Sequence, residues 1–153
     1  FGVKPQSRIG YLGKNSDLYF EMTMGAFKAG AVVVGVNWRL AGPEVEYVVN
    51  DAGCEVLFVG EEFRPLVEKC LPNMKCVRQV IAMEPGHASW EGFEAWRDRQ
   101  SDADPNLPIA MDDTAIQLYT SGTTGHPKGV ELTNANYFAV FSALASDPSS
   151  GLN

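Results

Sequence analysis

Hydroxyl side chains, glycines and one lysine are concentrated between residues 119 and 129, where the sequence is YTSGTTGHPKG. Glycine lets a backbone bring its N–H groups close to a ligand, and serine and threonine hydroxyls add short hydrogen-bond donors. Lys128 adds one compact positive charge and is the only lysine or arginine after Arg99. These residue types at this spacing predict a loop that binds a polyphosphate.

Two better-known phosphate-binding motifs do not fit this stretch. A Walker A loop places Ser or Thr after its lysine and continues into a helix, whereas Lys128 lies between Pro127 and Gly129 and precedes a strand-like segment. The dinucleotide-binding pattern G-x-G-x-x-G does not fit the loop either. By composition alone, an ordinary surface turn rich in serine, threonine and glycine explains the loop equally well.

Charge is distributed unevenly along the 153 residues, whose formal net charge is −7. Residues 1–80 carry equal numbers of basic and acidic side chains, so the whole net charge falls in residues 81–153. A nucleic-acid surface needs clustered cations to neutralise phosphates, and the sequence has no such cluster. We therefore expect no nucleic-acid partner and interpret the acidic half as a solvated surface.

The cysteines and the hydropathy indicate the kind of compartment. Cys54, Cys70 and Cys76 are odd in number and lack CxxC spacing, which argues against a metal site or a disulfide framework. Three free thiols fit a reducing cytoplasm, and Cys54 and Cys70 lie in apolar patterns typical of packed residues. No run approaches the ~18 apolar residues of a membrane span. The sequence therefore predicts a cytoplasmic protein without a membrane span.

The elements that must position the loop alternate between short apolar runs and helical periodicities. We predict strands over 8–12, 32–36, 55–59, 77–83, 114–119 and 129–132, and helices over 18–29, 43–52, 63–71, 89–99 and 133–144. This alternation predicts an α/β fold with a layered, mostly parallel sheet and helices on both faces. Ligands of such sheets bind at the carboxyl ends of the strands, which is where the loop would lie.

Two of the predicted helices carry many large apolar side chains. The helix over 18–29 is apolar on most sides, which predicts that it is buried. The segment 89–99 carries Trp90, Phe93 and Trp96, which we interpret as core or covering residues. A base-stacking surface is the alternative, but no basic groove accompanies these aromatic residues.

The loop sequence TSGTTGHPKG, with Tyr119 before it and Val130 after it, resembles the signature loop of the AMP-forming adenylating enzymes. That superfamily includes acyl-CoA synthetases, adenylation domains of peptide synthetases and luciferases. The segment FKAGA at 27–31 is similar to an upstream element of the same family. VNWRL at 36–40, followed by GPE at 42–44, resembles acyl-CoA synthetases (fatty-acid–CoA ligases) more than amino-acid-activating domains. The resemblance covers nearly the whole sequence.

The resemblance implies a two-step reaction. A carboxylate attacks the α-phosphate of ATP, giving an acyl-adenylate and pyrophosphate, and the thiol of coenzyme A then displaces AMP. The implied small-molecule partners are ATP with Mg²⁺, a fatty or other carboxylic acid, and CoA. By position in the motif, the phosphates of ATP would be held by Thr120, Ser121, Gly122, Thr123, Thr124, Gly125 and Lys128. The resemblance assigns no catalytic residue and no protein ligand of a metal within this sequence.

Two positions next to the motif need an interpretation of their own. Many relatives have a histidine in a THxN-like segment near the acyl group, and here Asn134 stands at that position. An amide can form hydrogen bonds but cannot carry the charge of an imidazole. The favoured interpretation is that Asn134 and Asn136 belong to the first turn of a helix. His126 occupies a variable position of the family loop, which predicts an exposed loop histidine.

The resemblance also implies a domain organisation, in which residues 1–153 are one incomplete piece of the family's large N-terminal domain. Residues 1–100 would form β-α-β units, 101–113 an acidic connection, 114–145 the strand, phosphate-binding loop, strand and helix, and 146–153 a polar tail. The family's enzymes are several-fold longer, their C-terminal domain has no counterpart here, and the first residue is Phe1. We therefore expect an N-terminal fragment of an acyl-CoA synthetase, inactive without the remainder of its own chain. A non-catalytic module that binds a nucleotide or phosphate, or another protein, is the alternative.

Overall fold

The computed structural model describes residues 2–121 and 126–147 of the protein. Its main elements, in chain order, are β1 (Arg8–Leu12), α1 (Asp17–Lys28), β2 (Val32–Val36), α2 (Gly42–Ala52), β3 (Cys54–Val59), α3 (Arg64–Cys70), β4 (Gln79–Ala82), β5 (Glu91–Gly92), α4 (Phe93–Arg97), β6 (Thr114–Thr120), β7 (Lys128–Thr133) and α5 (Asn134–Ser146). The seven strands form one sheet in the order β5-β4-β3-β1-β2-β6-β7. Neighbouring strands are parallel except β6 and β7, which form an antiparallel hairpin.

Helices cover both faces of the sheet. α2 and α3 pack on one face, where Val45 and Val67 join a buried cluster with Leu57 of β3. α1 and α4 pack on the other face, where Met22 and Phe93 join a second cluster. β2, between β1 and β6, has almost no exposed side chain, as its run of β-branched residues predicts. The predicted fold class, a mostly parallel α/β sheet with helices on both faces, is confirmed.

Local sequence signals explain where the first helices begin and end. The Ser16 hydroxyl accepts a hydrogen bond from the Tyr19 N–H at 3.1 Å and so caps the start of α1. Gly30 and Gly53 follow α1 and α2 with φ of +66° and +70°, the left-handed conformation that favours glycine. These signals limit the difference between the predicted and observed ends of α1 to one residue.

The predicted burial of α1 on most sides is wrong. Met22, Thr23 and Ala26 are buried, but Phe20 and Met24 are 57% and 55% exposed. Residues four apart lie on the same face of a helix, so Phe20 and Met24 share the side that points away from the sheet. One side of α1 packs on the sheet, with Leu18, Tyr19 and Phe27 partly buried against the same cluster, whereas Phe20 and Met24 stay exposed.

The predicted helix over 89–99 is shorter in the structure, because its start forms an edge strand instead. Glu91 and Gly92 pair with Ile81 and Ala82 of β4, and α4 begins only at Phe93. The aromatic side chains are core or covering residues, as predicted. Phe93 is buried, and Trp96 packs edge-on against Phe58 with 5.9 Å between the ring centroids.

The remaining segments connect or extend these elements. Residues 101–113 contain no helix or strand, and α5 continues two residues beyond the predicted end at Leu144. The predicted polar tail lies outside the described residues from position 148 onward. Within the described ranges, no helix is both long and apolar enough to cross a membrane.

The three cysteines differ in their exposure, which predicts which of them can react. Cys54 and Cys70 are buried, as predicted, and Cys76 is exposed. Burial raises the pKa of the Cys54 thiol to about 12, and burial beside Glu46 raises the pKa of Cys70. Because the thiolate is the reacting form, iodoacetamide at about pH 8 should label only Cys76 in the folded protein. Mass spectrometry should then find one label per chain, and three after unfolding in urea.

The matched variant for this labelling experiment is Cys76→Ser, which should take up no label while folded. Labelling of Cys54 or Cys70 at a rate comparable to that of Cys76 would contradict the described packing around these two thiols.

Candidate phosphate-binding site

The loop that carries the candidate residues joins β6 to β7 at one end of the sheet. β6 runs parallel to its neighbour β2, so its last residue, Thr120, lies at the carboxyl edge, where α/β sheets bind their ligands. β7 begins at Lys128, directly opposite Thr120 in the antiparallel ladder. The hairpin thus brings the first and the last candidate residue of the motif face to face.

Three of the seven candidate residues fall within the described part of the chain. Thr120, Ser121 and Lys128 are all exposed. None of the ion pairs formed by the described residues involves Lys128. An accessible ammonium group across from a hydroxyl can bind an anion such as a phosphate. The other four candidates, Gly122, Thr123, Thr124 and Gly125, lie outside the described residues.

Helix α2 holds the incoming side of the loop through Tyr119. The Tyr119 hydroxyl donates a hydrogen bond to Asp51 Oδ2 at 2.6 Å and accepts one from Gln117 Nε2 at 3.3 Å. Burial, together with the Asp51 carboxylate, raises the pKa of Tyr119 well above its usual range. The phenol therefore stays protonated and remains the donor in its bond to Asp51.

The same helix holds the outgoing side of the loop through Tyr47. The Tyr47 hydroxyl donates to the Pro127 carbonyl oxygen at 3.3 Å, and its ring stacks on His126 with 5.1 Å between centroids. His126 is exposed, as predicted. Tyr47 and Asp51 are four residues apart and lie on one face of α2, so a single helical face contacts both arms of the hairpin.

Sequence reasoning missed Tyr47, Asp51 and Gln117 as supports of the loop. The only signal was that Tyr47 and Asp51 are four residues apart in a predicted helix and lie beside its buried stripe rather than in it. Nothing in the sequence says which distant segment such a helical face contacts.

Comparison with known proteins decides the family. A family model described as AMP-binding enzyme matches residues 1–151 of the chain. The chain belongs to the AMP-binding enzyme family. This confirms the family resemblance of its loop sequence.

Curated relatives of this AMP-binding enzyme chain are acid–thiol ligases by name. The chain is 44% identical over 147 residues to the fatty acid–[acyl-carrier-protein] ligase ScoC of Streptomyces coeruleorubidus, covering 95% of the chain and 27% of that relative. It is 34% identical over 149 residues to the long-chain-fatty-acid–CoA ligase FadD13 of Mycobacterium tuberculosis, covering 95% of the chain and 28% of that relative. The chain thus spans about a quarter of the length of these relatives.

Solved structures agree with the fold of the AMP-binding enzyme chain. The anthranilate CoA ligase AuaEII, in complex with anthranoyl-AMP, superposes with a TM-score of 0.88 at 28% sequence identity. The superposition covers 95% of this chain and 28% of that one. A long-chain-fatty-acid–CoA ligase, FadD1 of Archaeoglobus fulgidus, superposes with a TM-score of 0.84 at 28% identity, covering 94% and 28% of the two chains.

The side chains of the two asparagines at the start of α5 form hydrogen bonds within the AMP-binding enzyme chain itself. Asn134 Nδ2 donates to the Ala110 carbonyl oxygen at 2.9 Å, and Asn136 Oδ1 accepts from the Thr133 N–H at 2.9 Å. Asn134 is the first residue of α5, and Asn136 completes a capping box with Thr133. Both amides therefore belong to the first turn of α5, as the favoured interpretation predicts.

A separate cavity of about 650 Å³ lies between α1, α4 and the segment that follows α4. Its walls include Met22, Phe58 and Trp96 and share no residue with the hairpin. This cavity therefore gives no support to the candidate phosphate-binding residues, which rest on the motif and on the geometry of the hairpin.

Position 129 has room only for glycine, because the side chains of Gln117 and Tyr119 lie close to its Cα. A Cβ at this position would lie 2.5 Å from Gln117 Nε2 and 3.2 Å from the Tyr119 hydroxyl. Gln117 is buried and has little room to yield. We expect Gly129→Ala to lower the free energy of unfolding by about 1–3 kcal/mol through overpacking, as measured by urea titration.

Gly25→Ala is the matched control, because no atom other than the adjoining backbone of α1 and the two chain neighbours lies within 4 Å of a Cβ built at Gly25. Alanine is favoured over glycine inside a helix by roughly 0.5–1 kcal/mol, so this control should be neutral or stabilising. If the Gly129 variant unfolded at the same urea concentration as wild type, the described packing of Gln117 and Tyr119 would be wrong.

Proposed function

We propose that the protein containing this chain is an AMP-forming acid–thiol ligase, an acyl-CoA synthetase, and that this chain carries its ATP phosphate-binding loop. In the first step a carboxylate oxygen attacks the α-phosphorus of ATP. The bond from that phosphorus to the β-phosphate oxygen breaks, and pyrophosphate leaves. In the second step a thiolate attacks the acyl carbon of the adenylate, and AMP leaves. The observation that carries this proposal is the exposed Lys128 opposite Thr120 within a loop of the family's sequence.

The role proposed for the loop is to hold the β- and γ-phosphates, which become the leaving pyrophosphate. Charge develops on this group as its bond to the α-phosphorus breaks. Fixed donors aimed at such charge are a large source of catalysis, because they need no reorganisation during the reaction. The donors proposed are the ammonium group of Lys128, the hydroxyls and the backbone N–H groups of residues 120–125.

Mg²⁺ is proposed to enter with ATP, since this ion usually binds through substrate phosphates and one or two protein oxygens. The described residues contain no group of three or more His, Cys, Asp or Glu side chains that could hold a metal ion. The hydroxyl oxygens of Thr120 and Ser121 are hard ligands compatible with Mg²⁺, and phosphate oxygens would complete its coordination.

The names of two relatives point to two candidates for the thiol that accepts the acyl group. The relative at 44% identity is named as a ligase that uses an acyl carrier protein, whereas FadD13 at 34% identity is named as a CoA ligase. We propose CoA as the acceptor and a carrier-protein thiol as the second candidate. The free cysteines of the chain support the reducing cytoplasm as the compartment.

A pyrophosphate-exchange assay of the full-length protein tests the proposal most simply. The purified protein should exchange radiolabelled pyrophosphate into ATP only when a suitable carboxylic acid is present, and a panel of acids of different length identifies the substrate. Adding CoA or a carrier protein should then release AMP and yield the thioester with one of the two. Failure of every acid to support exchange, with folded protein, would refute the ligase assignment.

The 153-residue chain alone should be inactive in an assay of pyrophosphate release, because it spans only about a quarter of the length of its relatives. With ATP and a carboxylic acid it should release no more pyrophosphate than its own Lys128→Ala variant. Release clearly above that control would show that the chain is catalytic without further sequence.

A further inference from the structure

Both arms of the phosphate-binding hairpin are tied to one face of α2. Asp51 accepts a 2.6 Å hydrogen bond from Tyr119, the residue just before Thr120. Tyr47 donates a hydrogen bond to the carbonyl of Pro127, the residue just before Lys128. The contacts therefore reach Tyr119 in β6, next to Thr120, and Pro127, directly before β7 and next to Lys128.

We propose that Tyr47 and Asp51 of α2 are positioning residues that set the placement of Thr120 and Lys128, and thereby the affinity of the enzyme for ATP. Neither side chain needs to touch the nucleotide. The inference rests on the proposed function, because ATP is the ligand whose binding would change.

Asp51 binds a side chain that contacts both strands of the hairpin. The Tyr119 side chain extends over Gly129, its partner across the ladder, and a Cβ at Gly129 would meet the Tyr119 ring at 3.2 Å. Asp51 therefore contacts a side chain that spans both strands of the hairpin. Removing the carboxylate frees that side chain and the adjoining peptide of Thr120, while the buried stripe of α2 stays in place.

Tyr47 supports the other arm by two different contacts. Its hydroxyl binds the Pro127 carbonyl, and its ring stacks on His126 at an interplanar angle of 28°. A Tyr47→Phe variant keeps the ring and removes only the hydrogen bond. A Tyr47→Ala variant removes both contacts, so the pair separates the hydroxyl from the stacking.

Kinetics of pyrophosphate exchange by the full-length ligase test the proposal. Asp51→Ala should raise the KM for ATP about five- to fiftyfold, because misplacement of binding groups weakens an oriented site steeply. The KM for the carboxylic acid and the melting temperature should change little. Asp51→Asn keeps an acceptor oxygen for Tyr119 and should recover most of the ATP affinity. Tyr47→Ala should raise the KM for ATP more than Tyr47→Phe.

The matched control is Asp104→Ala, since Asp104 is also an exposed carboxylate with a side-chain partner, Lys28, at 2.9 Å. Asp104 lines the cavity of about 650 Å³, whose walls share no residue with the hairpin. The KM for ATP of the Asp104→Ala variant should stay within about twofold of the wild-type value. A merely structural role of Asp51 would lower the melting temperature and affect both substrates equally. That outcome, or an unchanged KM for ATP in Asp51→Ala, overturns the proposal.

Hydrogen–deuterium exchange separates this inference from the proposed function, because it requires no activity. In the full-length protein without ligand, Asp51→Ala and Tyr47→Ala should speed amide exchange in peptides covering 119–130 and leave those covering β1 unchanged. If wild type lacks ligase activity but this local effect is seen, the proposed function fails and the positioning of the loop stands. If wild type is active and exchange over 119–130 is unaffected, the positioning role is refuted.

Discussion

Lys128→Ala should lower kcat/KM for ATP of the full-length protein, the proposed ligase, by about ten- to a hundredfold in pyrophosphate exchange. A hydrogen bond to a charged group contributes roughly 1.5–3 kcal/mol, and each 1.4 kcal/mol is a factor of ten. Lys128 is exposed and enters no ion pair with the described residues, so its charge is available to a phosphate. It is also the only lysine or arginine after Arg99, so no neighbouring cation in that half of the sequence replaces it.

Lys75→Ala is the matched control for this charge. Lys75 is exposed and precedes β4, so it lies toward the amino edge of the parallel sheet, opposite to the loop. Its removal should leave kcat/KM for ATP within about twofold, since distant surface charges are screened by salt. Equal losses in the two variants would mean that general charge, rather than a contact from Lys128, attracts the nucleotide.

Leu57→Ala should lower the free energy of unfolding by about 2–5 kcal/mol, a large share of the roughly 5–15 kcal/mol of a typical domain. Leu57 is fully buried in β3 and pairs with Gly10 of β1. A Cβ at Gly10 would lie 2.8 Å from Leu57 Cδ1, so the leucine fills the space above that glycine. Truncation of the leucine leaves a cavity at the centre of the sheet. Urea titration followed by tryptophan fluorescence measures the resulting loss in the free energy of unfolding.

Two further variants test this packing. Leu107→Ala removes a leucine that is 38% exposed, and its effect should stay within about 0.5 kcal/mol. Gly10→Ala should destabilise wild type but cost less in the Leu57→Ala background, because the added methyl occupies part of the cavity. Strict additivity of the two substitutions would contradict the described contact between these residues.

The central strands could be predicted accurately from sequence. β1 and β2 have the predicted bounds, 8–12 and 32–36, because each is a short apolar run followed by polar or glycine residues. The helices after them are bounded by Ser16, Gly30 and Gly53, whose capping roles are local. Signals that act within a few residues are readable without knowledge of the fold.

Elements fixed by distant contacts could not be predicted. β5 is two residues long and exists because Glu91 and Gly92 meet β4, which no periodicity reveals. The apolar sequence of α1 gave no reason to expect exposed Phe20 and Met24, because tertiary packing decides which face is covered.

The candidate site shows the same division. Thr120, Ser121 and Lys128 could be named as candidates because their residue types and spacing are themselves the signal. Asp51 and Tyr47 could not, because they are 68 and 80 residues away in sequence from the groups they hold. These residues come together only because α2 packs against the β6–β7 hairpin.

We propose that the loop at 120–128 holds the phosphates of ATP. The ATP dependence of pyrophosphate exchange in a Thr123→Ala/Thr124→Ala variant of the full-length protein tests this claim. Loss of two hydroxyl donors should raise the KM for ATP at least about tenfold and leave the KM for the carboxylic acid within about twofold. An unchanged KM for ATP and unchanged turnover in this folded variant would contradict the claim.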